Sequence, residues 1–237
     1  MVKNFVDMQL KSLNKGRFSR YWQENNKLFE SIIEQCIVEK KIVDEKTTLF
    51  HQECKVDNLV VVYNGTISIR YQANNGRRFH LGTVDCDEHI FGEMEFFTDY
   101  LCQFDIIAEE ALTVAIVSIN KLYQSLLKYP QLALFFASAI AFDYQETLDI
   151  FLKRNLYSIC YNIAFDMYQH HLNIQPVNHF QKNYLEAERF GTTDRVYRRA
   201  VNELINLDII HKVAGKLAIK DIDNLKDFIE FKGKFAK

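Results

Sequence analysis

Three arginines within five residues, Arg195, Arg198 and Arg199, are the side chains of this sequence best suited to a defined chemistry. A guanidinium is a planar fork that can donate two parallel hydrogen bonds to guanine O6 and N7, or pair with a phosphate. At helical spacing the three share one side with Asp194 and Asn202, while Val196, Ala200, Val201 and Leu204 turn to the other. Thr193 can cap such a helix, because its hydroxyl accepts from a free amide of the first turn. On this reading Arg195 and Arg199 reach base edges of double-stranded DNA, and Thr193, Arg198 and Lys212 meet phosphates; Thr192, Asp194 and Asn202 complete the surface. A row of charges also decorates helices that touch only water, so the flanking sequence has to decide between the two.

Upstream, Tyr184-Leu-Glu-Ala-Glu-Arg-Phe190 reads as a helix whose Leu185, Ala187 and Phe190 face a core, ended by Gly191 in the left-handed conformation. Downstream, Ile209–Val213 and Lys216–Ile219, joined through Ala214-Gly215, read as a short hairpin of the kind called a wing. Helix, turn, helix and wing in that order are far more specific than any one of them.

The elements that must position this segment come from the rest of the 237 residues, 48% apolar, which suffice for two small domains. A net charge of −2 excludes a protein that coats nucleic acid by charge alone. From Asn155 onward, however, 12 Lys and Arg outnumber 10 Asp and Glu, so the C-terminal third is the part suited to a polyanion. Five cysteines, Cys36, Cys54, Cys86, Cys102 and Cys160, are odd in number and widely spaced, which favours reduced thiols over a disulfide framework or a zinc site. No apolar run reaches the roughly 18–20 residues of a membrane span, and the N-terminus has no signal-peptide core. The expectation is a cytoplasmic protein with no membrane partner.

Residues 1–36 carry Trp22, Phe29, Ile32 and Ile33 at helical spacing and read as a helical extension that acts as a lid or brace. Residues 37–129 turn β-rich, with strands expected at Asn58–Tyr63, Thr66–Tyr71, Arg78–Leu81 and Leu112–Val117. Asn64-Gly65 and Asn74-Asn75-Gly76 are the strongest hairpin signals, since both types tolerate positive φ. Then Asn120 can cap a short helix and Pro130 can open a long one over 130–154, with a stripe at Leu132, Phe135, Ala139 and Phe142. Small Ala137, Ser138, Ala139 and Ala141 would let a neighbouring backbone approach. Such a stripe suits a core helix or a subunit interface; its place between two domains favours a homodimer. Residues 155–237, which include a loop around Pro176, hold the helix-turn-helix and wing.

In this order the parts resemble the Crp–Fnr family of bacterial transcription regulators, from about Thr48 to Ile219. The likeness is carried by Phe50-His51-Gln52-Glu53-Cys54, by the strand Leu59–Ile67 leading to Gly65, by Asn75-Gly76-Arg77, and by Phe91-Gly92-Glu93-Met94, which is similar to the family's phosphate-cassette signature. The arginine-bearing segment looks nearest to the YeiL-like branch. The resemblance implies an α+β chain: an N-terminal double-stranded β-helix (a β-roll of cyclic-nucleotide-binding type), a long dimerisation helix and a C-terminal winged helix-turn-helix. It also implies a homodimer on a two-fold operator in contact with RNA polymerase, activating or repressing nearby genes.

The effector site is where the resemblance breaks. Cyclic-AMP-binding members place an arginine some ten residues after Gly-Glu, where this chain has Gln103, Phe104 and Asp105. An amide, a ring and a carboxylate cannot neutralise a phosphate, and Asp105 would repel one. Gly92, Glu93, Met94, Gln103 and Phe104 therefore form a degenerate pocket, either packed shut or open to an apolar effector; both alternatives stand. Cofactors and catalytic metals are not expected. A cupin-type enzyme needs a compact His-x-His plus Glu set, which His80, His89 and Glu93 do not reproduce. An adaptor whose winged helix binds protein is the remaining contrast.

Overall fold

The computed structural model describes residues 8–10, 14, 16–172, 183–213 and 216–234. Along them run β1 (Met8–Gln9), α1 (Ser19–Cys36), β2 (Ile37–Val43), β3 (Thr48–Phe50), β4 (Asn58–Gln72), β5 (Arg78–Phe91) and α2 (Glu93–Thr98). There follow β6 (Asp105–Ala108), β7 (Leu112–Ser118), α3 (Ile119–Lys128), α4 (Gln131–Leu156), α5 (Ile159–His171), α6 (Asn183–Arg189), α7 (Asp194–Asn206), β8 (Ile210–Val213), β9 (Lys216–Ile219) and α8 (Ile222–Lys234). The loop at Pro176, His179 and the turn Ala214-Gly215 lie outside the described residues. By contact the chain divides into two units. Among the described residues one takes in those from Met8 to Tyr71 with Thr83–Gln145; the other takes in Gln72–Gly82 and those from Glu146 onward.

The first unit is built on a seven-stranded antiparallel sheet. Asn64-Gly65 does not close a hairpin there, contrary to the sequence expectation: β4 runs straight through it for 15 residues. The strand changes partner instead, pairing Asn58–Val62 with β7 and Ile67–Arg70 with β6. Gly65, at φ +102°, is the corner; a Cβ there would overlap the Leu112 side chain and lie 3.1 Å from the Glu110 carboxylate. That carboxylate is engaged in the corner, accepting from the Thr66 amide at 2.8 Å. The positive φ that Asn-Gly offers thus serves a bend within one strand. Asn74-Asn75-Gly76 does turn the chain, with Asn75 Oδ1 accepting from the Arg77 amide at 3.0 Å.

Against this sheet lies an aromatic core. Trp22 and Phe29 of α1 meet Phe135 of α4, with ring centroids 5.3 and 3.9 Å apart. Leu59, Val61, Leu132 and Ala139 belong to the same buried cluster. The 1–36 segment is therefore a core element in its helical part, the brace of the two alternatives and not the lid. It also follows that the stripe Leu132, Phe135 and Ala139 is consumed within the chain, with Phe135 at 1% exposure. This corrects its assignment to a subunit interface. A different row of α4 is left uncovered: Leu134, Ala137, Ala141, Tyr144, Leu148, Phe151 and Asn155 follow alternate steps of three and four, and all are exposed. Two boundaries also shift. Ser118, not Asn120, caps α3 by accepting from the Lys121 amide, and Pro130 stands just before α4 rather than inside it.

In the second unit α5, α6, α7 and α8 surround a core of Ile163, Ala164, Ala187, Ala200, Val201, Leu204 and Leu225. The sequence reading had no counterpart for α8, although its Leu225 is fully buried. Among the described residues no single helix is long and apolar enough to cross a membrane.

Candidate nucleic-acid interface

The turn between α6 and α7 is set by glycine chemistry. Gly191 takes φ +64°, and the two amides after the helix turn back, Gly191 N to Glu188 O at 3.0 Å and Thr192 N to Ala187 O at 2.9 Å. This is the bond pair of a Schellman ending, which a residue with a side chain would strain. Thr193 then caps α7 as expected, its Oγ1 accepting from the Val196 amide at 3.4 Å.

Which face α7 buries follows from its sequence period. Tyr197, Ala200, Val201 and Leu204 are buried, with Tyr197 taking the place expected for Val196, which is half-buried. Arg195, Arg198, Arg199 and Asn202 are exposed, Asp194 and Thr192 half-exposed. The candidate residues on α7 do share one surface: Asp194, Arg195, Arg198, Arg199 and Asn202 line a shallow open depression together with Glu203, Asn206 and Leu207. Those last three were not foreseen, since an acid, an amide and an exposed leucine at a helix end carry no distinctive sequence signal. Within the row the arginines differ. Arg198 is paired to Asp194, whereas the guanidinium groups of Arg195 and Arg199 make no ion pair or hydrogen bond with another described residue. Lys212 is exposed on β8, whose Ile210 pairs with Ile219 and Val213 with Lys216 of β9.

What holds α6 in place was not legible in advance. Arg189, 1% exposed, donates to both Glu186 at 2.8 Å and Asp166 of α5 at 3.0 Å, with a second, shorter bond to Asp166. Burial alone would lower the Arg189 pKa, but the two carboxylates more than reverse that and raise it above the ordinary guanidinium value. Burial and the same Glu186 push the Tyr197 hydroxyl upward.

The residues expected of an effector pocket have structural occupations. Gly92 has φ +93°, and a Cβ there would come within 3.2 Å of the Phe50 ring and 3.1 Å of Val56. Glu93 is buried in the first turn of α2, Met94 and Gln103 are exposed, and Phe104 rests edge-on against Tyr71 at 6.3 Å. Asp105 accepts from the Gln52 backbone amide at 2.8 Å, bracing the turn that β3 enters. No cationic side chain replaces the missing arginine at 103–105.

Residues 40–129 match the cyclic nucleotide-binding domain family. The chain has the fold of the CRP/FNR regulators. A crp/fnr-family protein from Eubacterium rectale ATCC 33656 superposes with TM-score 0.67 at 14% identity, covering 91% of this chain and all of that one. The c-di-GMP responsive global regulator CLP of Xanthomonas campestris gives TM-score 0.65 at 15% identity over 81% of this chain and 99% of that one. A CooA mutant from Carboxydothermus hydrogenoformans gives 0.63 at 16% over 95% of this chain and 98% of that one. Among curated protein sequences none matches. Within the CRP/FNR fold these comparisons do not single out the YeiL-like branch.

Proposed function

We propose that the chain is a homodimeric, sequence-specific DNA-binding transcription regulator, activator or repressor, that does not respond to cyclic AMP. The observation that carries this reading is the capped α7, with Arg195 and Arg199 one turn apart, exposed and unspent on any described partner. Guanidinium groups held free on a rigid helix suit the major-groove edges of guanine, and the cap Thr193, Arg198 and the exposed Lys212 flank them as phosphate donors. In this reading residues 37–129 are the sensor, 130–154 the dimerisation helix and 155–237 the winged helix-turn-helix, with RNA polymerase as the protein partner at the promoter.

Dimerisation is supported by the uncovered row of α4. Leu134, Tyr144, Leu148 and Phe151 are 44, 65, 39 and 59% exposed. Their spacing, completed by Ala137, Ala141 and Asn155, is the a/d repeat of a two-stranded coiled coil. A second copy of the same helix covers such a seam, and the two alanines allow close approach. Indifference to cyclic AMP is supported by Gln103, Phe104 and Asp105, the last committed to the Gln52 amide. Among the described residues no three His, Cys, Asp or Glu are placed to hold a metal.

The test is selection of bound sites from random duplex DNA with the purified protein. A two-fold motif whose enrichment is unchanged by cyclic AMP is expected; enrichment of no sequence would sink the reading and favour a protein-binding adaptor.

A further inference from the structure

Two of the cysteines meet within the sheet unit, where two connections cross. Cys54 stands in the turn between β3 and β4, and Cys102 in the segment that joins α2 to β6. The Cys102 amide donates to the Cys54 carbonyl at 2.8 Å, and the Cys102 carbonyl accepts from the Glu53 amide, also at 2.8 Å. One residue therefore faces two, the pattern of a bulge whose first member takes positive φ. Glu53 has φ +63°, and the Cys54 amide closes the turn on the His51 carbonyl at 3.2 Å. A further bond fastens the same turn, from the Gln52 amide to the Asp105 carboxylate at 2.8 Å.

Covalent geometry converts the first of these bonds into a limit on separation. With 2.8 Å between the Cys54 carbonyl oxygen and the Cys102 amide nitrogen, the two α-carbons lie within about 6.7 Å of each other. A disulfide closes over α-carbon separations of about 4.4–6.8 Å. The backbone thus holds the pair at bridging separation while both sulfurs are thiols. Their surroundings differ. Cys54 is exposed, whereas Cys102 is 5% exposed, its Sγ donating to the Phe104 carbonyl at 3.2 Å with Glu95 beside it. Burial pushes the Cys102 thiol up to about 12, so near neutrality Cys54 is the sulfur of the pair that a soluble reagent meets.

We propose that Cys54 and Cys102 are a reversible dithiol–disulfide site, oxidised by hydrogen peroxide at Cys54 and resolved by Cys102. The Cys54 thiolate attacks one peroxide oxygen, the O–O bond breaks, and the departing hydroxide takes up the proton that Cys54 released, leaving as water. Cys54 is then a sulfenic acid. The Cys102 sulfur attacks the Cys54 sulfur, the S–O bond breaks, and the Cys102 proton leaves with that hydroxide as a second water. Two thiols lose two electrons between them, and one peroxide becomes two waters. Cys102 resolves the intermediate in spite of its raised pKa because the backbone holds it in place, at an effective concentration above that of a thiol in solution. A small thiol that attacks the Cys54 sulfur reverses the bond, with Cys102 as leaving group. The site stands independently of the proposed DNA binding.

The experiment treats the fully reduced chain with hydrogen peroxide, caps the remaining thiols with iodoacetamide in urea, and maps the peptides by mass spectrometry without reductant. A Cys54 peptide bridged to the Cys102 peptide is expected, separated by dithiothreitol, with the buried Cys36, Cys86 and Cys160 recovered as capped thiols. Dimedone, which traps sulfenic acids, should label Cys54 at least about tenfold more in Cys102→Ser than in wild type. Cys102→Ala is the second variant should serine not be tolerated at that buried place, and the wild-type map needs no variant at all. Cys54→Ser should leave Cys102 a free thiol. Cys54 recovered oxidised, bridged between two chains or unreacted, beside a free Cys102, overturns the proposal. Dimedone labelling of Cys54 that is equal in wild type and variant does the same.

Discussion

Arg198 and Asp194, one turn apart on α7, form a forked pair, Nη2 to Oδ2 at 2.8 Å and Nε to Oδ1 at 3.1 Å. With side chains 63 and 37% exposed, the pair is worth only a few tenths of a kcal/mol, and a phosphate can displace the carboxylate. Arg198→Ala should therefore weaken binding to all sequences alike and flatten the plot of log affinity against log salt by about 0.9 for each protomer, about 1.8 for the dimer. Asp194→Asn should do the reverse, releasing Arg198 and strengthening non-specific binding. Anisotropy titrations across a salt series measure both; an Arg198→Ala slope equal to wild type would remove it from the phosphate contacts.

Arg195 and Arg199 carry no such pair, and their loss should be read in sequence preference rather than in the salt slope. Each arginine that meets a guanine in fork geometry contributes about 1–3 kcal/mol of discrimination against the wrong base. Repeating the site selection with Arg195→Ala and Arg199→Ala should each relax one position of the motif in each arm. Motifs identical to wild type from both variants would place base reading elsewhere.

The two faces of α4 should separate stability from assembly. Phe135→Ala removes a ring packed against Trp22 and Phe29 and should cost about 3–5 kcal/mol in urea unfolding at fixed protein concentration. Leu148→Lys with Phe151→Lys alters only exposed seam positions and should give a folded monomer by sedimentation. A dimer that survives those two lysines would place the interface on another surface.

The contrast between these faces also shows where sequence reasoning stopped. The Gly191 turn, the Thr193 cap and the exposed arginines were legible because each depends on contacts within six residues along the chain. Both faces of α4 are apolar, and its period alone could not say which would be claimed by Trp22 and Phe29, more than a hundred residues earlier. Asn64-Gly65 offered positive φ, but whether that makes a hairpin or a corner is decided by β6 and β7, which the strand meets on either side of it. Glu186 and Arg189, at a spacing of three on a helix, look like a solvated pair until Asp166 of α5 is placed beside them.

That buried triad yields its own expectation. Asp166→Ala leaves Arg189 charged at 1% exposure and removes one of the carboxylates that balance it. Removing one member of a buried pair costs about 3–5 kcal/mol. Replacement of all three by apolar residues of similar volume should cost much less, because no uncompensated charge remains. If Asp166→Ala and the triple replacement lose equal stability in urea unfolding, the cost lies in packing and not in the stranded charge.

Stability should fall on the alkaline side. Burial, aided by the negative charge of Glu95, pushes the Cys102 thiol from its ordinary 9.0 up to about 12, and burial raises the Tyr161 and Tyr197 hydroxyls above 10.0. The native state therefore keeps protons that the unfolded chain releases once the pH passes 9.0. With the unfolded state binding fewer protons, unfolding becomes more favourable as pH climbs from there towards about 12, while the region below 9.0 is unaffected by these groups. The urea midpoint should be level near neutrality and decline from about pH 9 upward. Cys102→Ala should delay that decline until the tyrosines begin to release their protons near 10.0 in the unfolded chain. The same burial protects the thiol from alkylation at mildly alkaline pH, so iodoacetamide should modify the exposed Cys54 well before Cys102. A midpoint that begins to decline at the same pH in the wild type as in Cys102→Ala, or equal alkylation rates at the two cysteines, would show that Cys102 is open to solvent.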